Sequence, residues 1–253
     1  MLTEPPTDRR VDRGAAHVAP VLLVVRDRLL VALAFASGIY EAICFLSFGK
    51  VFSGFQTGNI VFLGVGAAGT RPPAGPNPVT VLVSLAAFAV GAALSMWILK
   101  PFNGDEEVED SEVLQVWPRR VSATLWAVLV LQVGFLVVWM VTSPSAMTYL
   151  LIGLNACAMG MQMNAVRSLH VPGISTTAAS ATFISLTSGI ATWSLKAHPA
   201  RRLTGVLVAM AAGALIGDWT LSHAHPYAPV LPVLVIAAVN VIASTSLRRA
   251  AAR

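Results

Sequence analysis

Long uncharged stretches, separated by short polar connections, dominate the pattern of this chain. A helix needs about 20 apolar residues to cross a bilayer. Eight segments approach that length without Lys, Arg or His inside them: residues 29–49, 56–70, 78–99, 121–142, 146–166, 176–195, 203–222 and 228–247. The pattern predicts an all-α integral membrane protein built as a helical bundle.

Two of the eight segments are weaker candidates for spanning helices. Residues 56–70 form a short segment that ends at Arg71-Pro72-Pro73, which stops a helix. Residues 176–195 are long enough but are rich in Ser and Thr. We therefore predict six spans and two short or re-entrant segments.

Composition supports the membrane class, since 56% of the residues are hydrophobic and only 11% are charged, against about 25% charged in soluble domains. The net charge of +5 comes from basic residues at segment edges and chain ends, where they set topology. The expected partners are the lipid bilayer and an unknown small solute or proton, with no nucleic acid. A homo-oligomer is compatible with the sequence.

Motifs for catalysis or cofactor binding are not found. Residues 64–69 read G-x-G-x-x-G, but they lie in an apolar segment without the strand and later acid of a dinucleotide site. We expect no enzyme activity, no cofactor and no metal.

Charge distribution divides the chain into three parts. Residues 1–27 form a polar tail, residues 28–247 a single transmembrane domain and residues 248–253 a basic tail. With six spans and cytoplasmic termini, 15 of the 17 Lys and Arg residues face the cytoplasm; with eight spans, 12 do. The positive-inside rule favours six spans in a bacterial inner membrane, with both termini cytoplasmic.

An internal repeat is indicated by comparing the chain with itself. At a shift of 123, Ala42 matches Ala165 and Glu41 falls on Asn164. At a shift of 122, residues 87–97 match residues 209–219. We define half A as residues 28–142 and half B as residues 146–247. The halves are inverted if the two doubtful segments re-enter, and parallel if those segments span.

Small residues spaced four apart recur in both halves, at Ala87-xxx-Gly91-xxx-Ser95 and Ala209-xxx-Gly213-xxx-Gly217. Such spacing lets helix backbones approach closely in a membrane. We predict that these two segments form tightly packed helix seams.

Glu41 is the main candidate for chemistry within the bilayer. An acid at the centre of a spanning helix costs about 2.5–3.5 kcal/mol. Such a group usually faces a cavity or partner and can bind a proton or cation. The alternative is a neutral acid that bonds to a neighbouring helix for structure.

Two polar segment starts lie at matched places in the halves. Thr57, Gly58 and Asn59 open the first doubtful segment, and Thr176 and Thr177 open the second. Paired polar helix starts at membrane depth are typical of transport sites. Ordinary helix capping is the alternative.

Gln162 and Asn164 add two amides to the fifth segment. They are candidates for the same substrate or ion pathway. Amides in membrane helices also join helices to each other without a transport role, so both interpretations stay open.

These residues resemble the YoaK-like family of bacterial multi-pass membrane proteins, whose domain has no known function. The resemblance covers residues 28–247. It is carried by Gly38-Ile-Tyr-Glu41-Ala42, Val51-Phe52, Thr57-Gly58-Asn59, Gly64, Gly160-Met-Gln162-Met-Asn164-Ala165 and Thr176-Thr177. Glu41 stands where the family usually has Asp, and Ser180-Ala181 where it usually has Thr-Gly. The resemblance implies a membrane protein and supplies no substrate.

Two functions follow from the sequence as hypotheses. The first is a small-solute transporter or channel-like permease of unknown substrate. The second is a membrane scaffold or assembly partner that moves nothing, in which the polar residues only join helices.

Overall fold

The computed structural model describes residues 9–69, 75–100, 116–143, 145–171, 179–192 and 197–247, and these residues contain eight α-helices. The described residues contain no strand. The helices are α1 (Arg9–Ser47), α2 (Gln56–Ala67), α3 (Pro78–Leu99), α4 (Arg119–Val141), α5 (Thr148–Arg167), α6 (Ala179–Ala191), α7 (Ala197–His223) and α8 (Val230–Ile242). A 3₁₀ turn, His225–Tyr227, precedes α8, and a π-helical turn, Ala243–Leu247, follows it.

Each of the eight predicted apolar segments overlaps one of these helices. The all-helical prediction is therefore confirmed. The largest difference lies at the start of the chain, where α1 begins at Arg9 rather than near residue 28. Residues 9–27, which we predicted as a polar tail, are therefore helical. No breaker stands between Pro20 and the first apolar segment, so the helix continues without interruption.

Five stretches of the described chain are long and apolar enough to cross a membrane: Val21–Ser47, Pro78–Leu99, Arg119–Val141, Pro199–His223 and His225–Leu247. Helix α5, with 20 residues, is long enough at about 30 Å, but its three amides lower its mean hydropathy. Helices α2 and α6 have 12 and 13 residues and reach only about 18–20 Å. These described lengths are well short of a bilayer crossing.

Large apolar side chains cover the outside of the bundle. Trp97, Val130 and Leu215 are among many that are mostly exposed. Helix α1 lies inside, with Leu30, Leu33 and other side chains fully buried. A soluble protein would not present so large an apolar surface to water. Against lipid chains, this surface carries no unfavourable free energy of exposure to water.

Helix α1 packs along α7, and the two run in the same direction. A Cβ placed on Gly205 would lie 3.4 Å from Val31, and one on Gly217 would lie 3.1 Å from Ala42. Residue numbers rise together along both helices, which defines parallel packing.

Helix α3 packs along α5 in the same way. A Cβ on Gly153 would lie 3.8 Å from Val83, and the Asn164 amide donates to Ser95 Oγ at 3.0 Å. This seam is also parallel.

Antiparallel contacts fix the remaining directions. The Trp139 indole donates to the carbonyl of His225 at 3.0 Å, and the Asn240 amide donates to the carbonyl of Leu125 at 3.0 Å, so α4 and α8 run in opposite directions. Short connections make α4 and α5, and likewise α7 and α8, antiparallel pairs. Helices α1, α4 and α7 therefore run one way, and α3, α5 and α8 run the other.

The two parallel seams contain the same close contacts at a constant shift of 122. A Cβ on Gly38 would collide with the carbonyl of Met210, and one on Gly160 with the carbonyl of Phe88. Gly160 follows Gly38 by 122 residues, and Met210 follows Phe88 by the same interval. In this geometry Glu41 corresponds to Met163, one residue away from the match with Asn164 that we expected.

Gly91 and Gly213 extend the same correspondence. Gly91 faces the backbone of Cys157, and Gly213 faces the backbone of Phe35. Because even a methyl group has no room at either position, only glycine permits this spacing. The prediction that the small-residue segments form tight helix seams is confirmed.

Candidate functional site

The chain turns back into the protein directly after α1. Gly49 and Lys50 have positive φ angles of 75° and 64°, and the Lys50 N–H donates to the carbonyl of Phe45 at 2.8 Å. Val51 and Ser53 are then fully buried. The stretch after the turn therefore enters the bundle instead of crossing its surface.

Helix α2 returns from the interior toward the start of α3. Near its beginning, the Asn59 amide donates to Ser84 Oγ at 3.2 Å; near its end, a Cβ on Gly66 would lie 3.1 Å from Pro78. Ser84 lies six residues, or about 9 Å, along α3 from Pro78, so α2 starts at that depth. We name residues 48–67 the inserted segment.

Glu41 holds the deepest part of the inserted segment. Its side chain is only 3% exposed. Its Oε1 atom accepts from Ser53 Oγ at 2.7 Å and from the Gly54 N–H, and its Oε2 atom accepts from the Ser53 N–H at 3.1 Å. Three donors of the inserted segment thus converge on one carboxylate of α1.

A chain of amides continues from this carboxylate into α4 and α5. The Gln132 amide donates to Asn155 Oδ1 at 2.8 Å, and the Asn155 amide donates to Ser53 Oγ at 2.9 Å and to Cys44 Sγ at 2.9 Å. All of these side chains are fully buried. The path from Gln132 through Asn155 and Ser53 Oγ leads to Glu41 with every donor oriented the same way, and aligned hydrogen bonds in a low-dielectric interior strengthen one another.

The two buried acids of α1, Asp27 and Glu41, differ in their charged neighbours. Asp27 lies beside Arg26 at 2.9 Å and Arg202 at 3.6 Å. Among the ion pairs of the described residues, none involves Glu41. Within the described residues, the hydrogen-bond donors to its carboxylate are the neutral groups of Ser53 and Gly54.

Asn59 holds the inserted segment from the opposite side. Its Oδ1 atom accepts from the Phe52 N–H at 3.1 Å, and its amide donates to the carbonyl of Phe52 at 2.7 Å. Ser84 Oγ donates to the same carbonyl at 2.6 Å. The backbone at Phe52 is therefore paired although it belongs to no helix or strand, as burial requires.

Thr57 and Gly58 take different places from Asn59. The Thr57 side chain is exposed on the outer side of α2. A Cβ on Gly58 would lie 3.2 Å from the ring of Phe52, so glycine lets the ring pack against the helix. Of the three predicted residues, only the Asn59 side chain faces the interior contacts around Phe52.

Gln162 and Asn164 lie further along α5. The Gln162 amide donates to Ser37 Oγ at 2.9 Å, and the Asn164 amide donates to the carbonyl of Ala92 at 2.8 Å and to Ser95 Oγ. They join α5 to α1 and α3, and neither contact involves the inserted segment. The predicted residues Thr176 and Thr177 lie outside the described residues.

Sequence reasoning missed three members of the buried network: Ser53, Gln132 and Asn155. Gln132 and Asn155 are polar amides inside otherwise apolar segments, which is the signal that could have found them. Ser53 offers no such signal, because its place beside Glu41 depends on the turn at Gly49 and Lys50.

The described residues contain no group of three His, Cys, Asp or Glu side chains placed to hold a metal ion. The Glu41 network consists of one carboxylate, two amides, a hydroxyl, the Cys44 thiol and backbone N–H groups. Such a set can bind and orient a small ion or a proton.

The bundle and its buried polar network define a multi-pass membrane protein. Residues 29–242 match the family described as "Protein of unknown function (DUF1275)", and the chain belongs to that family.

Among curated proteins, the chain is similar to "UPF0700 transmembrane protein YoaK" of Bacillus subtilis (strain 168). The two are 29% identical over 168 residues, which cover 65% of this chain and 67% of the relative. No solved structure matches the chain. The resemblance to the YoaK-like family is confirmed.

Proposed function

We propose that the protein is a small-solute transporter or channel-like permease of the bacterial inner membrane. The observation that carries this proposal is the inserted segment. Its extended part lies beside the buried acid Glu41, and the start of α2 lies about 9 Å along α3 from Pro78. Non-helical backbone at membrane depth is tolerated where it is enclosed by protein or lines a pathway.

The proposed topology has six crossings, two re-entrant segments and inverted halves, with both termini in the cytoplasm. The alternating directions of the six long helices support it, as does the short length of α2 and α6. The contacts matched at a shift of 122 support descent of the halves from one duplicated unit. Transporters with inverted repeats place their site near such broken segments.

Labelling of the connection between α3 and α4 tests this topology. A single cysteine replaces Ser111 in a chain without Cys44 and Cys157, and a membrane-impermeant maleimide is added to intact cells or inverted vesicles. We expect labelling only from the cytoplasmic side. Labelling from outside would require eight crossings and would contradict the re-entrant assignment.

In the proposed mechanism, Glu41 is the proton-binding or cation-binding group, and Asn59 keeps the inserted segment beside it. A proton on Glu41 removes the negative charge and thereby weakens the hydrogen bonds that its side chain accepts from Ser53 and Gly54. The charge of Glu41 is thereby coupled to the position of the inserted segment.

Proton flux in liposomes that contain purified protein and a trapped pH-sensitive dye tests the mechanism. We expect flux with the wild-type protein and none with Glu41→Gln at equal reconstitution. The matched control is Met163→Gln, which adds the same amide at the corresponding position of half B. Unchanged flux in Glu41→Gln would remove Glu41 from the pathway.

A membrane scaffold is the second candidate function, and the positions of Gln162 and Asn164 favour it. Both amides join helices, as expected of residues with a purely structural role. A scaffold predicts that Asn164→Leu changes abundance or oligomeric state, and that no solute or proton flux is found for the wild-type protein. Measured flux in liposomes would exclude the purely structural role.

A further inference from the structure

The three donors around Glu41 belong to the inserted segment, while the carboxylate belongs to α1. Ser53 contributes its N–H and hydroxyl groups, and Gly54 contributes its N–H group. Two of the donors are backbone groups, which no side-chain substitution removes. We name these three donors the amide cradle.

The amide cradle has the geometry of an anion site. Two donors bind one carboxylate oxygen of Glu41 and the third binds the other. Both oxygens of a planar carboxylate are therefore bound. Behind Ser53, the amide chain from Gln132 and Asn155 supplies further polarisation toward the same place. Hydrogen bonds from N–H groups to an ionised acceptor are about twice as strong as neutral ones.

Only hydrogen bonds hold the carboxylate in the cradle, and the chain between Glu41 and Ser53, 12 residues later, includes a glycine turn. The described residues place no cation on the carboxylate; the buried ion pairs lie at Asp27, about 21 Å away along α1. If Glu41 leaves, three buried donors remain without an acceptor, which is costly unless another anion enters.

We propose that the amide cradle is a binding site for small monovalent anions, with small carboxylates as the best-fitting class. Glu41 occupies the cradle as a tethered anion and exchanges with a free one. The cradle itself stands on the contacts above. Its part in moving such anions across the membrane rests on the proposed transport function.

Chemical rescue of Glu41→Ala tests the cradle without a transport assay. The substitution removes a fragment of the size of acetate and exposes the donors. We expect a lowered melting temperature, and we expect acetate or formate to recover most of the loss, because an anion that binds only the folded state stabilises it. Gluconate at the same ionic strength, which is too large for the space, should recover none.

Two matched variants separate this effect from general salt stabilisation. Asn164→Ala removes a helix-joining amide far from the cradle, and acetate should leave its melting temperature unchanged. The double variant Glu41→Ala with Ser53→Ala lacks one cradle donor, and its recovery should need a higher acetate concentration. Equal recovery in all three variants, or no recovery in Glu41→Ala, overturns the proposal.

Wild-type protein provides a second measurement if Glu41→Ala cannot be purified. Formate uptake into liposomes that contain the wild-type protein should exceed formate uptake into protein-free liposomes, and gluconate uptake should be the same in both. Proton flux without rescue and without formate uptake would overturn the anion site and leave the proposed function standing. Rescue without flux of protons or formate would leave the anion site standing and would contradict the proposed role of Glu41 and the cradle in transport.

Discussion

The seam between α1 and α7 and the seam between α3 and α5 share a backbone geometry but differ in chemistry. Ala42 meets Gly217 in the first seam, while at the corresponding positions Asn164 donates to Ser95 in the second. Glu41 likewise corresponds to Met163. Packing is therefore repeated at a shift of 122, whereas among the described residues an acid held by three such donors is found beside α1. Glycine packing therefore builds the bundle in both seams, and the Glu41 network is an addition to the first.

The largest effects are expected where the two seams are alike. Gly91→Leu and Gly213→Leu each force a side chain into the backbone of a neighbouring helix, at a cost of about 3 kcal/mol or more. Both variants should lose the monodisperse peak in detergent size-exclusion chromatography. Gly134→Ala is the control, because a Cβ there has no neighbour within 4 Å. A folded Gly91→Leu protein would break the equivalence of the seams.

The next largest effect is expected at the position where the seams differ most. Glu41→Gln places an amide N–H₂ group against cradle donors and should destabilise the protein by about 1–3 kcal/mol. Met163→Gln changes a half-buried apolar position, where no carboxylate is lost, and should cost less. Melting temperatures in detergent measure both. Equal losses would mean that the cradle adds nothing to the stability of half A.

Asn59→Ala should cost about 1–2 kcal/mol, because the Phe52 N–H would lose its acceptor and the Phe52 carbonyl would keep only the Ser84 hydroxyl as a donor. A cysteine placed at Gly54 should then react faster with a maleimide, as the inserted segment loosens. The neighbouring change Thr57→Ala, on an exposed side chain, should stay within about 0.5 kcal/mol. A similar labelling rate in both backgrounds would show that Asn59 does not hold the segment.

The smallest effect is expected for Asn164→Leu. Hydrogen bonds between membrane helices average about 0.6 kcal/mol, and the glycine contacts of this seam remain in place. Thermal unfolding measured against the wild-type protein checks this value. A loss as large as that of Glu41→Gln would make the polar bond, rather than the glycine packing, the main support of the second seam.

The sequence was informative where the signal is local. Apolar length located all eight helices, and small-residue spacing located both seams. The sequence could not place Ser53 or Asn155, because their contact joins residues 102 positions apart and depends on a turn. It also predicted both Thr57 and Asn59 as pathway residues, although the Thr57 side chain is exposed and the Asn59 side chain is buried. Their orientation is decided by the rotation of α2 against α3, which hydropathy does not record.

The crossed pairing of the seams bears on how the chain is assembled in the cell. Helix α1 of half A packs against α7 of half B, and α5 of half B packs against α3 of half A. When half A leaves the ribosome, the glycine faces of both its seam helices still lack their partners, and α7 emerges more than 150 residues after α1. The seam helices of each half therefore complete their packing only against the other half. Two separately expressed halves should accumulate only when they are produced together.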